Sequence, residues 1–148
     1  MIEKPSVDVK VMDPDAYFGI LESFLAEGKD VKMTPKGNSM LPFIKGGRDS
    51  VVLTRPTRPF EPGDIVLFRV AGRYVMHRVL KRDGDHLLIM GDGNIYGKER
   101  CETSDVIGLV TEIHKENGKV VKPGKARLWK LARPFRKYIL AIYKRIFL

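Results

Sequence analysis

Glycine and proline interrupt the middle of the chain roughly every 8–12 residues, between short runs of β-branched and aromatic side chains. One such run is "DSVVLTRP" at 49–56, and another is "HLLIMGD" at 86–92. The pair Asn117-Gly118 favours a tight hairpin turn, because both residues tolerate a positive φ. Strands and helices do not alternate in this region. The punctuation therefore predicts a mainly β domain of antiparallel or mixed strands over residues 30–124.

A helix is predicted ahead of this domain. Asp13 is a suitable N-cap, Pro14 suits the first helical position, and Gly28 suits a C-cap. Apolar residues recur between these signals at helical spacing. We expect the helix over about 14–27, within an N-terminal segment of residues 1–29.

The last segment, residues 125–148, is basic and again has a helical period. Its apolar face comprises Leu128, Phe135, Ile139, Ile142 and Ile146. It has no acidic residue, and its basic residues are Lys125, Arg127, Lys130, Arg133, Arg136, Lys137, Lys144 and Arg145. Pro134 is expected to kink or split this helix. Because the whole chain has a net charge of +9, the rest of it is nearly neutral, and we expect no nucleic-acid partner.

Two interpretations of this tail follow from its amphipathic pattern. In the first, the helix packs on the β domain by its apolar face, and its basic residues are solvated. In the second, residues 125–148 lie on an anionic membrane surface, which the aromatic residues and the acid-free polar face suit. The sequence leaves both open.

The chain has few residues suited to holding a metal or a disulfide. Cys101 is the single cysteine, and the three histidines, His77, His86 and His114, are scattered, so we expect no metal and no cofactor. The first ten residues contain no apolar core of a signal peptide. No uncharged apolar run approaches the ~20 residues of a membrane span. We expect a cytoplasmic location, with a peripheral membrane position as an alternative.

Four segments carry a family resemblance by their order and spacing. They are "GNSMLPFI" (37–44), "PGDIVLFR" (62–69), "YVMHRVL" (74–80) and "LIMGDGN" (88–94). Together they resemble the S24/S26-type serine peptidases, which include type I signal peptidases and LexA-like self-cleaving repressors. The third segment resembles the branch of that family with a histidine base, since His77 is followed by Arg78 and Val79. The resemblance implies a LexA-like β core between the N-terminal helix and a C-terminal amphipathic helix.

The resemblance also implies a catalytic set of Ser39 as nucleophile, His77 as base and Asp92 as the acid behind the imidazole. The residue types suit that chemistry. A serine hydroxyl attacks only when a base takes its proton, and a neutral imidazole does so near pH 7. A carboxylate behind the ring fixes its tautomer and stabilises the imidazolium. The expected function is cleavage of a peptide or protein substrate, with leader or signal peptides as one candidate class.

Several positions depart from the family pattern. Gly37 stands where signal peptidases have a hydroxyl residue, and Asn38 replaces the usual glycine before the serine. In the last box, Gly97 and Lys98 stand where acids are expected, and Glu99 lies one position out of step. The third catalytic residue is therefore Asp92, Glu99 or absent.

Each candidate also has a structural interpretation. Ser39 can be a turn hydroxyl, His77 a hydrogen-bonded histidine within a strand, and Asp92 a cap of the turn "GDGN". The altered acid box motivates an alternative function, a catalytically inactive domain that binds a peptide or protein on the same fold. A self-cleaving transcription factor is less favoured, because residues 1–30 hold one clear helix, too little for a helix-turn-helix.

Overall fold

The computed structural model describes residues 14–94, 97–124 and 135–147. Their helices and strands, in chain order, are α1 (Pro14–Ala26), β1 (Val31–Met33), β2 (Ser50–Thr54), β3 (Ile65–Val70), β4 (Arg73–Asp83), β5 (His86–Met90), β6 (Glu99–Glu102), β7 (Val106–His114), β8 (Val120–Val121) and α2 (Arg136–Phe147). A 3₁₀ turn at Thr103–Asp105 precedes β7. The predicted mainly β class, with a helix towards each end, is confirmed. The N-cap predicted at Asp13 and the kink predicted at Pro134 lie outside the described residues.

The eight strands form one antiparallel sheet in the order β1-β2-β7-β3-β4-β5-β6, with β8 paired to β7. Two of its hairpins follow from turn chemistry. Ala71 and Gly72 both have positive φ, of 52° and 75°, as a two-residue turn between β3 and β4 requires. Gly118 has φ of 90° in the turn that joins β7 to β8, which confirms the hairpin predicted at Asn117-Gly118.

Both faces of the sheet are covered, so β3 is apolar along most of its length. Ile65 and Leu67 point into a core shared with α1, which contributes Tyr17, Leu21 and Leu25. Val66 and Phe68 point to the opposite face, into a second core with strands β5 and β6. The single cysteine, Cys101, lies in this second core, and burial raises its pKa to about 11.

Strand β7 joins two parts of the sheet. On one side it pairs with β2, and on the other with β3. The loop that contains Ser39 lies between β1 and β2, whereas His77 lies on β4. The two candidate catalytic residues therefore belong to parts of the sheet that meet at β7.

Helix α2 packs on the domain through a face other than the apolar one predicted. Leu140 is buried against Leu41, beside the half-buried Phe43 and Tyr143. The residues of the predicted apolar face that the structure describes are exposed, namely Phe135, Ile139, Ile142 and Ile146. Within the described ranges, no helix has both the length and the apolar character to cross a bilayer.

Candidate active site

The loop that carries Ser39 is held tightly at both ends. Leu41 N donates to Asn38 O at 3.2 Å, which closes a turn around the serine. Gly37 has φ of 85°, and a Cβ on the nearby Gly46 would collide with the backbone of Gly37. Gly47 N donates to Pro35 O at 2.7 Å and ties the two sides of the loop together. The position of Ser39 is thus fixed by backbone contacts.

A second loop, residues 91–94, lies close to both the backbone of Ser39 and the ring of His77. Gly93 N donates to Ser39 O at 2.7 Å. A Cβ on Gly91 would collide with Ser39 O and would lie 3.1 Å from His77 Cδ2, and a Cβ on Gly93 would collide with Asn38 O. Glycine at both positions lets the backbone of the serine loop and the imidazole approach the 91–94 loop closely.

We expect Gly91→Ala to destabilise the fold by about 1–3 kcal/mol, because the added methyl group overlaps backbone that cannot move aside easily. Gly19→Ala is the matched control. Nothing lies within 4 Å of the Cβ position at Gly19, which is in α1, so this change should be neutral or stabilising. Urea unfolding of the two variants measures the difference. Equal midpoints would show that the loop contact is not tight.

His77 is a buried residue in the middle of β4. It pairs with Val66 of β3, is 4% exposed, and its ring centroid lies 6.0 Å from that of Phe68. Burial lowers the pKa of His77 below its ordinary value, and the charge of Arg73 lowers it further, while Glu99 opposes them. The ring is therefore neutral at pH 7, which is the form that accepts a proton.

The hydrogen bonds of the His77 ring do not complete a triad. Nδ1 of His77 is buried and has no hydrogen-bond partner. Within the described part of the chain, no hydrogen bond joins the Ser39 hydroxyl to the ring. Glu99, the alternative acid, lies at the start of β6 and acts on His77 through its charge.

Asp92 forms an ion pair with Arg78, the residue next to His77. Arg78 Nε donates to the two carboxylate oxygens at 2.9 and 3.0 Å, and Nη2 donates to Oδ2 at 2.7 Å. Both side chains are almost completely buried, with 1% and 4% of their surface exposed. Burial raises the pKa of Asp92 above its ordinary value, although the hydrogen bonds from Arg78 and the charge of Arg136 oppose this. The structure thus places Asp92 at Arg78 and not behind Nδ1 of His77.

Arg78 also connects the site to two other parts of the chain. Its Nη1 donates to Gly63 O and to Gly124 O, both at 2.8 Å. The guanidinium lies 5.2 Å from the ring centroid of Phe43, four residues after Ser39. Arg78 was identified from the sequence as part of the histidine box, but no role was predicted for it. The available signal was an arginine within the mainly apolar strand "YVMHRVL". A buried arginine needs a charged or polar partner, so its position indicates an ion pair.

An apolar cleft of about 320 Å³ opens beside Ser39. It is lined by residues of α1, β1, the serine loop and β4, including Tyr17, Phe18, Met33, Met40, Tyr74 and Met76. Phe18 stacks on Tyr74 with centroids 4.3 Å apart, so α1 forms one wall. The sequence did not reveal this cleft, since its walls come from segments far apart in the chain.

Among the residues that the structure describes, the part of β4 beside this cleft has a free edge. Strand β5 pairs with β4 only from Arg78 onward, and β3 pairs along its other side as far as Arg73. Within the described ranges, no strand occupies the β5 side of residues 73–77. The backbone N–H and C=O groups there are the kind to which an extended peptide can add as a further strand.

No group of three or more metal-ligating side chains occurs in the described ranges.

A family model described as Peptidase S24-like matches residues 5–111 of the chain. The matched region includes Ser39, His77 and Asp92. The comparison with curated proteins gave no match.

Proposed function

Because the chain belongs to the S24-like peptidase family, we propose that it is a serine endopeptidase in which Ser39 attacks the peptide bond and His77 accepts its proton. The observation that carries the proposal is the approach of both residues to Gly91. A Cβ on Gly91 would collide with Ser39 O and would lie 3.1 Å from His77 Cδ2. The apolar cleft is lined by Ser39 and not by His77, whose ring lies on the Phe68 side of β4.

The proposed chemistry needs only these two side chains and backbone. His77 takes the proton from the Ser39 hydroxyl while the oxygen attacks the carbonyl carbon. The protonated imidazole then gives that proton to the leaving amine, and an acyl-enzyme remains. Water, activated by the same ring, releases the acid product. The Ser39 N–H is our candidate oxyanion donor, since removing such a donor typically costs on the order of 10²–10³ in rate.

In this proposal, Asp92 is a positioning residue and does not take part in proton transfer. Its ion pair with Arg78 fixes the 91–94 loop against β4, and that loop holds Ser39 through Gly93. Neighbouring residues on a strand point to opposite faces, so an acid bound to Arg78 does not reach the far side of His77. The catalytic unit is a Ser39–His77 pair.

The proposed substrate is an extended, apolar peptide segment. Its backbone would pair with the free edge of β4 at residues 73–77, and its side chains would enter the cleft. Leader and signal segments are rich in apolar residues, so processing of such a segment suits this cleft.

The pH dependence of cleavage tests the role of His77. Because burial lowers its pKa, kcat/KM should reach half of its plateau below pH ~6.5 and stay level through pH 7–8. The same shift predicts a loss of folding stability as the pH falls below ~6.5, where the unfolded chain binds a proton that the folded chain does not. A profile with its midpoint clearly above pH 7 would contradict this assignment.

The proposal is tested by incubating the protein with a mixed peptide library and sequencing the products. Ser39→Ala is the matched control, since it removes one oxygen atom. We expect cuts that are absent with Ser39→Ala and that have apolar residues near the scissile bond. Identical product patterns for the two proteins would refute the proposal.

The alternative function, a non-hydrolytic peptide-binding domain, is favoured by one observation. Nδ1 of His77 has no hydrogen-bond partner, so nothing fixes the tautomer of a base. In that case, peptides would bind to the free edge of β4 with equal affinity in wild type and Ser39→Ala, and neither protein would cut them.

A further inference from the structure

We propose that α2 binds to anionic lipid bilayers through an exposed apolar stripe. The stripe comprises Phe135, which immediately precedes α2, and Tyr138, Ile139, Ile142 and Ile146 within it. These side chains are between 38% and 65% exposed, although all are large and apolar or aromatic. At 100° per residue they fall within one arc of the helix, and Leu140 and Arg136, which are buried on the domain, lie outside that arc.

The exposure of the stripe is not explained by the packing of the helix on the domain. Leu140 contacts Leu41, and the backbone of Phe147 accepts a hydrogen bond from Arg48 at 3.4 Å. These contacts hold α2 by one side. A helix that needed only to pack would turn its largest apolar arc inward. Here that arc faces out while the helix is still held, as an interfacial helix requires.

The charge of the C-terminal segment that contains the stripe selects an anionic bilayer over a second copy of the chain. Residues 117–148 contain ten basic residues and no acid. A symmetric contact between two such stripes would bring like charges together, whereas a surface with anionic headgroups attracts them. Lys137, Lys144 and Arg145 are exposed on α2 itself, and Lys137 lies 5.0 Å from the ring centroid of Tyr138.

Membrane binding by α2 would bring the Ser39 loop close to the bilayer surface. Leu140 packs on Leu41, two residues after the serine, and Arg136 Nη1 donates to Asn94 O at 3.4 Å, at the end of the 91–94 loop. A helix is about 10–12 Å in diameter, so the bilayer surface would lie about that far from the serine loop. The cleft would then work on peptides held at or emerging from the membrane surface.

The test is sedimentation of the full chain with phosphatidylcholine vesicles that contain either no anionic lipid or about 30% phosphatidylserine. We expect binding to the anionic vesicles to be at least ten-fold stronger, and to fall as salt rises from ~0.05 to ~0.5 M. Ile142→Glu should weaken it at least ten-fold. Ala141→Glu is the matched control, because it makes the same charge change at an exposed position outside the stripe, and it should weaken binding much less.

Circular dichroism of each variant checks that it is folded. Ser39→Ala is included so that vesicle binding is measured in a protein that lacks the proposed nucleophile. Ser39→Ala should bind vesicles as the wild type does, so a failed peptidase assay leaves this test intact. Equal binding by Ile142→Glu and Ala141→Glu would overturn the proposal, as would no binding at low salt. A dimer in analytical ultracentrifugation that Ile142→Glu dissociates, without vesicle binding, would assign the stripe to self-association instead.

Discussion

Ser39→Ala should reduce peptide cleavage by at least about 10⁴-fold, and His77→Gln by about 10²–10⁴-fold. In the proposed mechanism the serine supplies the attacking oxygen, so its loss leaves only binding and oxyanion stabilisation. The glutamine is close in size to the imidazole but accepts no proton at neutral pH. Because the two residues act as one unit, the double variant should be no slower than Ser39→Ala alone. The measurement is kcat/KM on the best peptide from the library screen.

His86→Gln is the matched control for this series. His86 is exposed at the start of β5 and belongs to no part of the proposed site, so its replacement should leave kcat/KM unchanged. Additive losses in the double variant would show that Ser39 and His77 do not act on the same step. Full activity in His77→Gln would exclude the imidazole as the base.

Asp92→Ala should destabilise the fold by about 3–5 kcal/mol, because it leaves the guanidinium of Arg78 buried without its acid. Both members of this pair are almost completely excluded from water. For a domain of this size, such a loss is a large fraction of the total free energy of unfolding. Urea denaturation at pH 7 measures it, as a shift in the midpoint at constant slope.

Removal of both charges distinguishes the ion pair from simple packing. The double variant Arg78→Met/Asp92→Ala should recover part of the stability lost in Asp92→Ala, since no buried charge remains. Asp30→Ala, which makes the same change at an exposed position between α1 and β1, is the comparison, and we expect a change within about 0.5 kcal/mol. A midpoint for Asp92→Ala equal to that of Asp30→Ala would show that the pair contributes no stability.

Much of the fold was predictable because its signals are local. The period of two in the strands, the positive φ of Gly118 in the Asn117-Gly118 turn and the Gly28 C-cap of α1 each depend on a few neighbouring residues. The order of the family segments around Ser39 and His77 is also a property of the sequence. These signals needed no knowledge of long-range contacts.

The rest of the site depends on contacts between distant segments. His77 and Arg78 are adjacent on β4 and point to opposite faces, so the partner of Asp92 depends on which face the 91–94 loop meets. The sequence favours neither face. The side of α2 that packs on the domain was also not predictable from the sequence. A hydrophobic pattern shows that a helix has an apolar side, but it does not show what covers that side.

The place of β7 in the sheet determines when Ser39 and His77 can be held near each other as the chain is synthesised. On the ribosome, Ser39 and His77 are both made before residue 80, yet the strand that joins their two parts of the sheet ends at His114. The hydrogen bond from Arg78 to Gly124 O also cannot form until Gly124 has been synthesised. A nascent chain therefore contains both side chains before β7 can fix their arrangement. In the proposed function, this order prevents the growing chain from cleaving nearby peptides before β7 has joined the sheet.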